Sequence, residues 1–324
     1  MDLTDLTAPR TTRHLRGPQH LLDRLFRAST LFFGLLVLVI LGGIIVSLIE
    51  GAWPAFRQYG LSFIWTGVWN PARDQFGALV PIYGTLITSL IAMVLGIPIS
   101  LGIAIFITEL CPSSLRRPIS TAIELLAGIP SIIYGIWGLF VLMPILQQHV
   151  QPYLIALFGH VWIIAPLFQG PPVGLGVLTA GIILAIMVIP FISAIMRDVF
   201  ETVPAVLKES AYGLGCTTWE VIWRVVLPYT RVGVVGGVML GLGRAMGETM
   251  AVTFVIGNSH RISASLFAAG TTISSALANE FTEADGGHYQ SALIGLGLIL
   301  FVITFLVLAA ARLMLVRMQR QAGG

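Results

Sequence analysis

The stretch Glu209-Ser-Ala-Tyr-Gly-Leu-Gly215, which continues through Val225-Val-Leu-Pro228, lies between two long apolar segments of the chain. The whole sequence is 56% hydrophobic and 10% charged, with a mean hydropathy of +0.91. Such a composition excludes an ordinary soluble domain. Four uncharged runs each exceed the ~20 residues that a helix needs to cross a bilayer. These runs cover residues 28–49, 75–108, 125–196 and 286–311.

These runs predict an all-α integral membrane protein with six transmembrane helices. The expected spans are 30–49, 80–108, 119–146, 173–196, 232–257 and 289–311. With a cytoplasmic N-terminus, fourteen of the 18 lysines and arginines fall in inner segments. Only Arg57, Arg73 and Arg261 fall in outer segments. This asymmetry follows the positive-inside rule and predicts that both termini are cytoplasmic.

The predicted organisation has four parts. They are a basic N-terminal segment with an interfacial helix (1–29), the first span with an outer segment (30–79), a core of five helices (80–312) and a cytoplasmic tail (313–324). The N-terminal segment is alternatively a basic anchor that only sets the topology. Two further apolar stretches, 147–172 and 262–279, are interrupted by polar or helix-breaking residues, and we assign both to the outer side, as helical or interfacial loop segments.

The loop between spans four and five, residues 197–231, carries the signals of two short amphipathic helices. Apolar residues recur on one helical face in its first half, at Val203, Val206, Leu207, Ala211 and Leu214. Thr217 stands three residues before Glu220, a capping-box spacing that predicts a second helix, which Pro228 then ends. A bent pair of helices of this kind either docks into a groove of another protein or is a simple interfacial loop.

The same loop resembles the cytoplasmic EAA loop of bacterial ABC importer permeases, whose pattern is E-A-A, three residues, Gly, nine residues, I-x-L-P. The positions that fall on this spacing are Glu209, Ala211, Gly215, Leu227 and Pro228. Ser210 replaces the central alanine and Val225 replaces the isoleucine. The resemblance implies a type I ABC importer permease, in which this loop docks on a cytoplasmic ATPase.

Predicted span five carries two charged residues, Arg244 near its midpoint and Glu248 four residues later. A charge at the bilayer centre costs ~2.5–3.5 kcal/mol on insertion scales, so it normally faces the bundle interior or water. The spacing places both groups on one helix face, where they can pair. They form either a structural ion pair or, as we favour, the lining of a transport path in which the guanidinium binds an oxyanion. Glu124, near the start of span three, is either a partner of Arg244 or a carboxylate at the cytoplasmic end.

No catalytic motif is present in the sequence. It lacks the patterns G-x-x-x-x-G-K-[ST], H-E-x-x-H and G-x-S-x-G, and it has no paired-cysteine motif. We therefore predict a subunit without enzymatic activity, cofactor or metal, so that any ATP hydrolysis belongs to a partner. Cys111 and Cys216 both fall on the reducing side, and no disulfide is expected. No basic patch with interleaved aromatic residues indicates nucleic-acid binding.

Further segments resemble the phosphate-specific ABC permeases of the PstC type, over about residues 20–318. They are PIYGTLITS (81–89), ELLAGIPSIIYG (124–135), GRAMGETMA (243–251) and GHYQSAL (287–293). The resemblance implies a lipid-embedded assembly in a bacterial inner membrane. Its other members would be a PstA-like permease, a PstB-like ATPase dimer and a PstS-like periplasmic phosphate-binding protein. The alternatives are a permease for sulfate, phosphonate or molybdate, or a secondary transporter driven by an ion gradient, which needs no EAA loop.

Overall fold

A computed structural model of the protein describes residues 19–162 and 164–322. Six helices in this part of the chain are long and apolar enough to cross a membrane, which confirms the predicted six-span, helical architecture. In order they are Leu22–Tyr59, Leu79–Leu110, Ser131–Phe158, Val177–Glu201, Thr218–Met246 and Gly287–Arg317, called spans one to six below. Shorter helices lie between them, at Ser62–Trp65, Pro71–Arg73, Ser113–Ala127, Ala165–Phe168, Ala205–Gly213, Met250–Val255 and Ile273–Glu280. The words inner and outer refer below to the sides that the charge distribution assigns.

The chain divides into two compact units, with the boundary between Glu50 and Gly51. In the first unit, the described residues form one continuous helix that starts at Gln19, so the predicted separate interfacial helix is not present there. The apolar side chains of this helix are largely exposed, as expected for a surface that lipid covers. Residues 1–18 of the predicted basic segment lie outside the described residues. The second unit contains the remaining spans and both hydrophobic cores.

Four π-helical turns in the described chain each end two residues before a proline. They are Phe106–Leu110 before Pro112, Gly138–Leu142 before Pro144, Leu146–Val150 before Pro152 and Ile222–Val226 before Pro228. Proline has no backbone N–H and its ring clashes with the carbonyl four residues earlier in a regular α-helix. A widened turn just before the proline relieves this clash. At three of these turns, two in span three and one in span five, the helix therefore continues through a proline that would otherwise end it.

Span three lies further along the chain than predicted. Residues Ser113–Ala127 form a separate amphipathic helix, and the spanning helix starts at Ser131 instead of residue 119. Pro130, with φ −56° and ψ 135°, separates the two because proline disfavours helical backbone at the preceding residue. At its other end the helix continues to Phe158, so the first part of the predicted outer segment 147–172 is helical. Hydropathy alone does not reveal the start or the end of span three, because the run 125–196 contains no charged residue.

Span five also differs from the expected 232–257. The predicted second helix of the loop does not end at Pro228, because the preceding π-helical turn lets it continue as one helix, Thr218–Met246. The helix then stops at Met246 instead of reaching residue 257, and Met250–Val255 forms a short separate helix. The backbone break at residues 247–249 lies within the segment that the sequence places at mid-membrane.

Span four is the centre of the larger core, and glycines bring its neighbours close. A Cβ added to Gly181 of span four would lie 2.5 Å from Ile91 of span two. A Cβ added to Gly241 of span five would lie 2.5 Å from Ile192 of span four. Gly233, Gly237 and Gly241 recur every four residues in span five, and each of them packs against span four, as small residues do in membrane bundles. Arg244 lies on a part of span five that this packing leaves exposed.

Glu280 joins three segments on the outer side. Its carboxylate accepts hydrogen bonds from Nε1 of Trp69 at 2.6 Å and from the hydroxyl of Tyr289 at 2.8 Å, and it lies 2.6 Å from Nε2 of His260. The Trp69 and His260 rings stack, with centroids 5.3 Å apart. Burial alone would raise the pKa of Glu280, but the bonds from His260, Tyr289 and Trp69 outweigh it and hold the pKa below its ordinary value of 4.5. This cluster ties the loop after span one to the loop before span six.

Replacement of Glu280 with glutamine is expected to destabilise the outer side at neutral pH, by about 1–2 kcal/mol for a partly solvated cluster. Because the folded carboxyl has the lower pKa, its stabilising effect is complete above pH 4.5 and is lost as the pH falls through the folded value. Thermal unfolding in detergent at pH 7 and pH 4 measures both effects. Glu283, which is exposed, provides the control Glu283→Gln. If the unfolding temperature of wild type and of Glu280→Gln depends on pH in the same way, the Glu280 carboxylate does not have the stabilising role assigned to it.

Candidate functional site: the coupling loop and the charges of span five

The loop 197–231 contains the helix Ala205–Gly213, called the coupling helix below, followed by a turn into span five. The predicted capping box at the start of the second helix is confirmed. The hydroxyl of Thr217 accepts from the N–H of Glu220 at 3.4 Å, and the Glu220 carboxylate accepts from the N–H of Thr217 at 3.0 Å. Gly215 makes the turn with φ +88°, a left-handed conformation that only glycine adopts without strain.

The five EAA-type positions fall in two places. Glu209 is exposed on the coupling helix, Ala211 packs partly against the core, and Gly215 forms the turn that follows. Leu227 and Pro228 lie within the helix of span five, just after its π-helical turn. The first three residues therefore surround the exposed bend, while the last two attach it to a membrane span.

Large apolar side chains are exposed around this bend. The exposed fraction is 86% for Leu214, 69% for Val206 and 66% for Trp219. The Trp219 ring also lies beside that of Trp223, with centroids 5.2 Å apart. A cluster of exposed apolar residues in a polar loop is typical of a protein contact surface. Both predicted roles of the loop, docking into another protein and lying at the membrane interface, would use such a surface.

Arg244 and Glu248 do not form the ion pair that their four-residue spacing allowed. The helix ends at Met246, so the four-residue spacing does not bring the two side chains onto one face. Glu248 instead accepts a hydrogen bond from the N–H of Ala251 at 3.2 Å, at the start of the short helix Met250–Val255. The Arg244 guanidinium lies over the ring of Phe191, 5.5 Å from its centroid, and makes no ion pair with any residue that the structure describes. The glycine at 247 signals such a break, but the hydropathy of the segment does not.

Glu124 lies away from Arg244. It belongs to the amphipathic helix Ser113–Ala127, outside span three, and its Oε1 lies 2.7 Å from Nη1 of Arg197 at the inner end of span four. Arg197 also contacts Asp198 at 2.7 Å. Of the two interpretations of Glu124, the structure supports a carboxylate at the inner end of the bundle.

One ion pair near the coupling helix was missed by reasoning from sequence. Nζ of Lys208 lies 2.6 Å from Oε1 of Glu109, at the inner end of span two. Two signals were available: Lys208 is the only lysine of the chain, and Glu109 is the first charged residue after the uncharged run 75–108. Neither signal says that residues 99 positions apart meet.

Metal and disulfide chemistry find no support in the described residues. No group of three or more histidine, cysteine, aspartate or glutamate side chains is arranged there to hold a metal ion. Both cysteines, Cys111 and Cys216, are free thiols.

Comparison with known families gives a match over residues 96–320 to the family described as "Binding-protein-dependent transport system inner membrane component". A relative from Mesorhizobium japonicum is 63% identical over 303 residues, covering 94% of this chain and 93% of the relative. It is named "Phosphate transport system permease protein PstC". A relative from Methanocaldococcus jannaschii, named "Probable phosphate transport system permease protein PstC", is 42% identical over 262 residues. The match covers 79% of this chain and 82% of the relative.

Solved structures confirm the fold of a type I ABC importer permease. A bacterial ABC transporter involved in the import of alginate has a TM-score of 0.58 and 18% identity, covering 91% of this chain and 98% of that one. The inward-facing MetNI methionine ABC transporter has a TM-score of 0.53 and 16% identity, covering 73% of this chain and 93% of that one. Together with the family match, these similarities show that the chain belongs to the family of binding-protein-dependent transport system inner membrane components.

Proposed function

We propose that this chain is the PstC-like permease subunit of an ATP-driven phosphate importer in a bacterial inner membrane. It forms half of the translocation path and couples that path to a cytoplasmic ATPase, without catalytic activity, cofactor or metal of its own. The observation that carries this proposal is the 63% identity, over 94% of the chain, to a relative named as a phosphate transport permease.

Arg244 is the residue we assign to the phosphate path. A phosphate ion carries one or two negative charges, and removing it from water is costly unless a cation offsets the lost hydration. The Arg244 side chain is exposed in the isolated subunit and has no carboxylate partner among the described residues, so its donors are available to an anion. Glu248 accepts a hydrogen bond from the backbone N–H of Ala251 at the start of a short helix, which partly compensates its negative charge.

Two exposed surfaces support two kinds of partner. The uncovered part of span five around Arg244 suits a second, PstA-like permease, which would complete the path. The coupling loop, with Glu209 and the exposed side chains around Gly215, suits a PstB-like ATPase dimer. A PstS-like protein would deliver phosphate at the outer side. Glu124 and Arg197 then lie at the inner end of the path.

Uptake of labelled phosphate into vesicles that contain the assembled complex tests the proposal. Uptake is expected to need ATP on the side of the coupling loop and to persist after ionophores collapse the ion gradients. Excess sulfate, molybdate or a phosphonate should compete far less than unlabelled phosphate. Competition as strong as that of phosphate would indicate a different oxyanion as cargo. Uptake that follows the gradient and ignores ATP would indicate a secondary transporter.

A further inference from the structure

The ion pair between Lys208 and Glu109 connects the coupling helix to the inner end of span two. The side chain of Glu109 is only 6% exposed and that of Lys208 is 20% exposed, so the contact is largely shielded from water. Arg116 also contacts this end of span two, because its Nη2 donates a hydrogen bond to the carbonyl of Thr108, the residue before Glu109, at 2.6 Å. A buried carboxylate is tolerated when a cation pairs with it, and removal of the cation leaves an uncompensated charge. The pair therefore holds the two helices in a defined position.

The coupling helix has little else that fixes it to the bundle. None of the residues of Ala205–Gly213 is buried, and only Ala211 packs partly against the core. Val203, just before the helix, is buried and anchors its start. Lys208 points inward to Glu109, while the next residue, Glu209, is exposed. One turn of this helix thus contacts span two on one side and is open to a partner on the other.

Span two extends from this ion pair to the outer side of the molecule. At mid-length, the hydroxyl of Ser100 donates to the carbonyl of Ile189 in span four at 3.2 Å. Near the outer end, the hydroxyl of Thr85 accepts from the N–H of Ile273 at 3.0 Å. A Cβ on Gly84 would lie 1.9 Å from the carbonyl oxygen of Thr271, so the two backbones are in direct contact there. A displacement of span two would therefore reach the segment that starts the outer helix Ile273–Glu280.

We propose that Lys208 and Glu109 form a joint through which movement of the coupling helix reaches span two and, through it, the outer segment at residues 271–273. This proposal rests on the proposed function and adds to it a second mechanical route, besides the covalent connections to spans four and five. Lys208 and Glu109 are positioning residues, since they act through the two helices that they join. The route explains how a helix with no buried residue can act on the far side of the membrane.

The test uses the complete complex in proteoliposomes and measures phosphate transported per ATP hydrolysed. The charge reversals Lys208→Glu and Glu109→Lys are each expected to lower this ratio about tenfold, and the double reversal to restore it to within about threefold of wild type. Arg117→Met is the control, because Arg117 is exposed on the same inner face and makes no ion pair with another described residue.

A second readout does not depend on the cargo. ATP is expected to change hydrogen–deuterium exchange at the outer end of span two, residues 79–90, in wild type but not in the single variants. If the single variants keep the wild-type ratio of phosphate transported to ATP hydrolysed and the wild-type hydrogen–deuterium exchange, the proposed joint is wrong. A defect that the double reversal fails to repair would also contradict it.

If the charge reversals block assembly of the complex, Lys208→Met and Glu109→Gln replace them. Loss of assembly in these variants too would assign the ion pair to assembly alone. A wild-type complex with ATP-dependent exchange but no phosphate uptake would contradict the proposed function and leave the joint supported.

Discussion

Replacement of Arg244 with alanine is expected to lower ATP-driven phosphate uptake by about 100-fold or more while the complex remains assembled. The physical reason is the desolvation of phosphate, which the guanidinium offsets with charge and directed N–H donors. No carboxylate among the described residues holds Arg244, so its removal leaves no unpaired charge behind in this subunit. Arg244→Lys keeps the charge but loses the planar fork, and we expect an intermediate rate. Initial rates of uptake into proteoliposomes measure the effect.

Arg312→Ala is the control for Arg244, because this arginine is exposed at the inner end of span six. Co-purification of the partner subunits separates the two interpretations of Arg244. A fully assembled Arg244→Ala complex with normal uptake would exclude a role in the path. A complex that no longer assembles would instead support a structural role.

Substitution of Gly215 with valine is expected to reduce co-purification of the ATPase strongly. The backbone there has φ +88°, which costs an L-residue about 1–3 kcal/mol and would open the bend between coupling helix and span five. Nothing lies within 4 Å of an added Cβ, so the effect arises from the backbone and not from a clash. Glu209→Lys, which reverses an exposed charge without changing the bend, should weaken the same contact. A pull-down of the ATPase on the tagged permease measures both.

Gly213→Ala is the matched control for Gly215. Gly213 also has nothing within 4 Å of an added Cβ, but it lies in the coupling helix and has no positive φ. Alanine should therefore be accepted there, and the ATPase should be retained. Loss of the ATPase in Gly213→Ala but not in Gly215→Val would contradict the bend as the docking element.

The spans were predictable because burial in lipid imposes a simple rule on composition. A helix that crosses a bilayer needs about 20 residues with few charges, and the uncharged runs of this chain meet that requirement. The local signals of the coupling loop were predictable for a similar reason. The Thr217–Glu220 capping box and the turn at Gly215 depend on residues close in sequence.

The breaks in the helices were not predictable from hydropathy. Span three starts after Pro130, and span five passes through Pro228 but stops at Met246. Pro98 and Pro190 lie inside α-helices without a widened turn, whereas Pro130 separates two helices, so a proline in the sequence does not by itself fix where a helix stops. The four-residue spacing of Arg244 and Glu248 implied a pair only under the assumption of a continuous helix.

The sequence by itself determined the number of spans, the position of the coupling loop and the resemblance to importer permeases, because each depends on composition or on local spacing. Only the tertiary structure decided which charges meet. Glu124 pairs with Arg197, Glu109 pairs with Lys208, and Arg244 makes no ion pair within the described chain. These pairings join residues 73 and 99 positions apart, and they depend on which helix ends the tertiary packing brings together. Long-range packing of this kind leaves no periodic signal in the sequence.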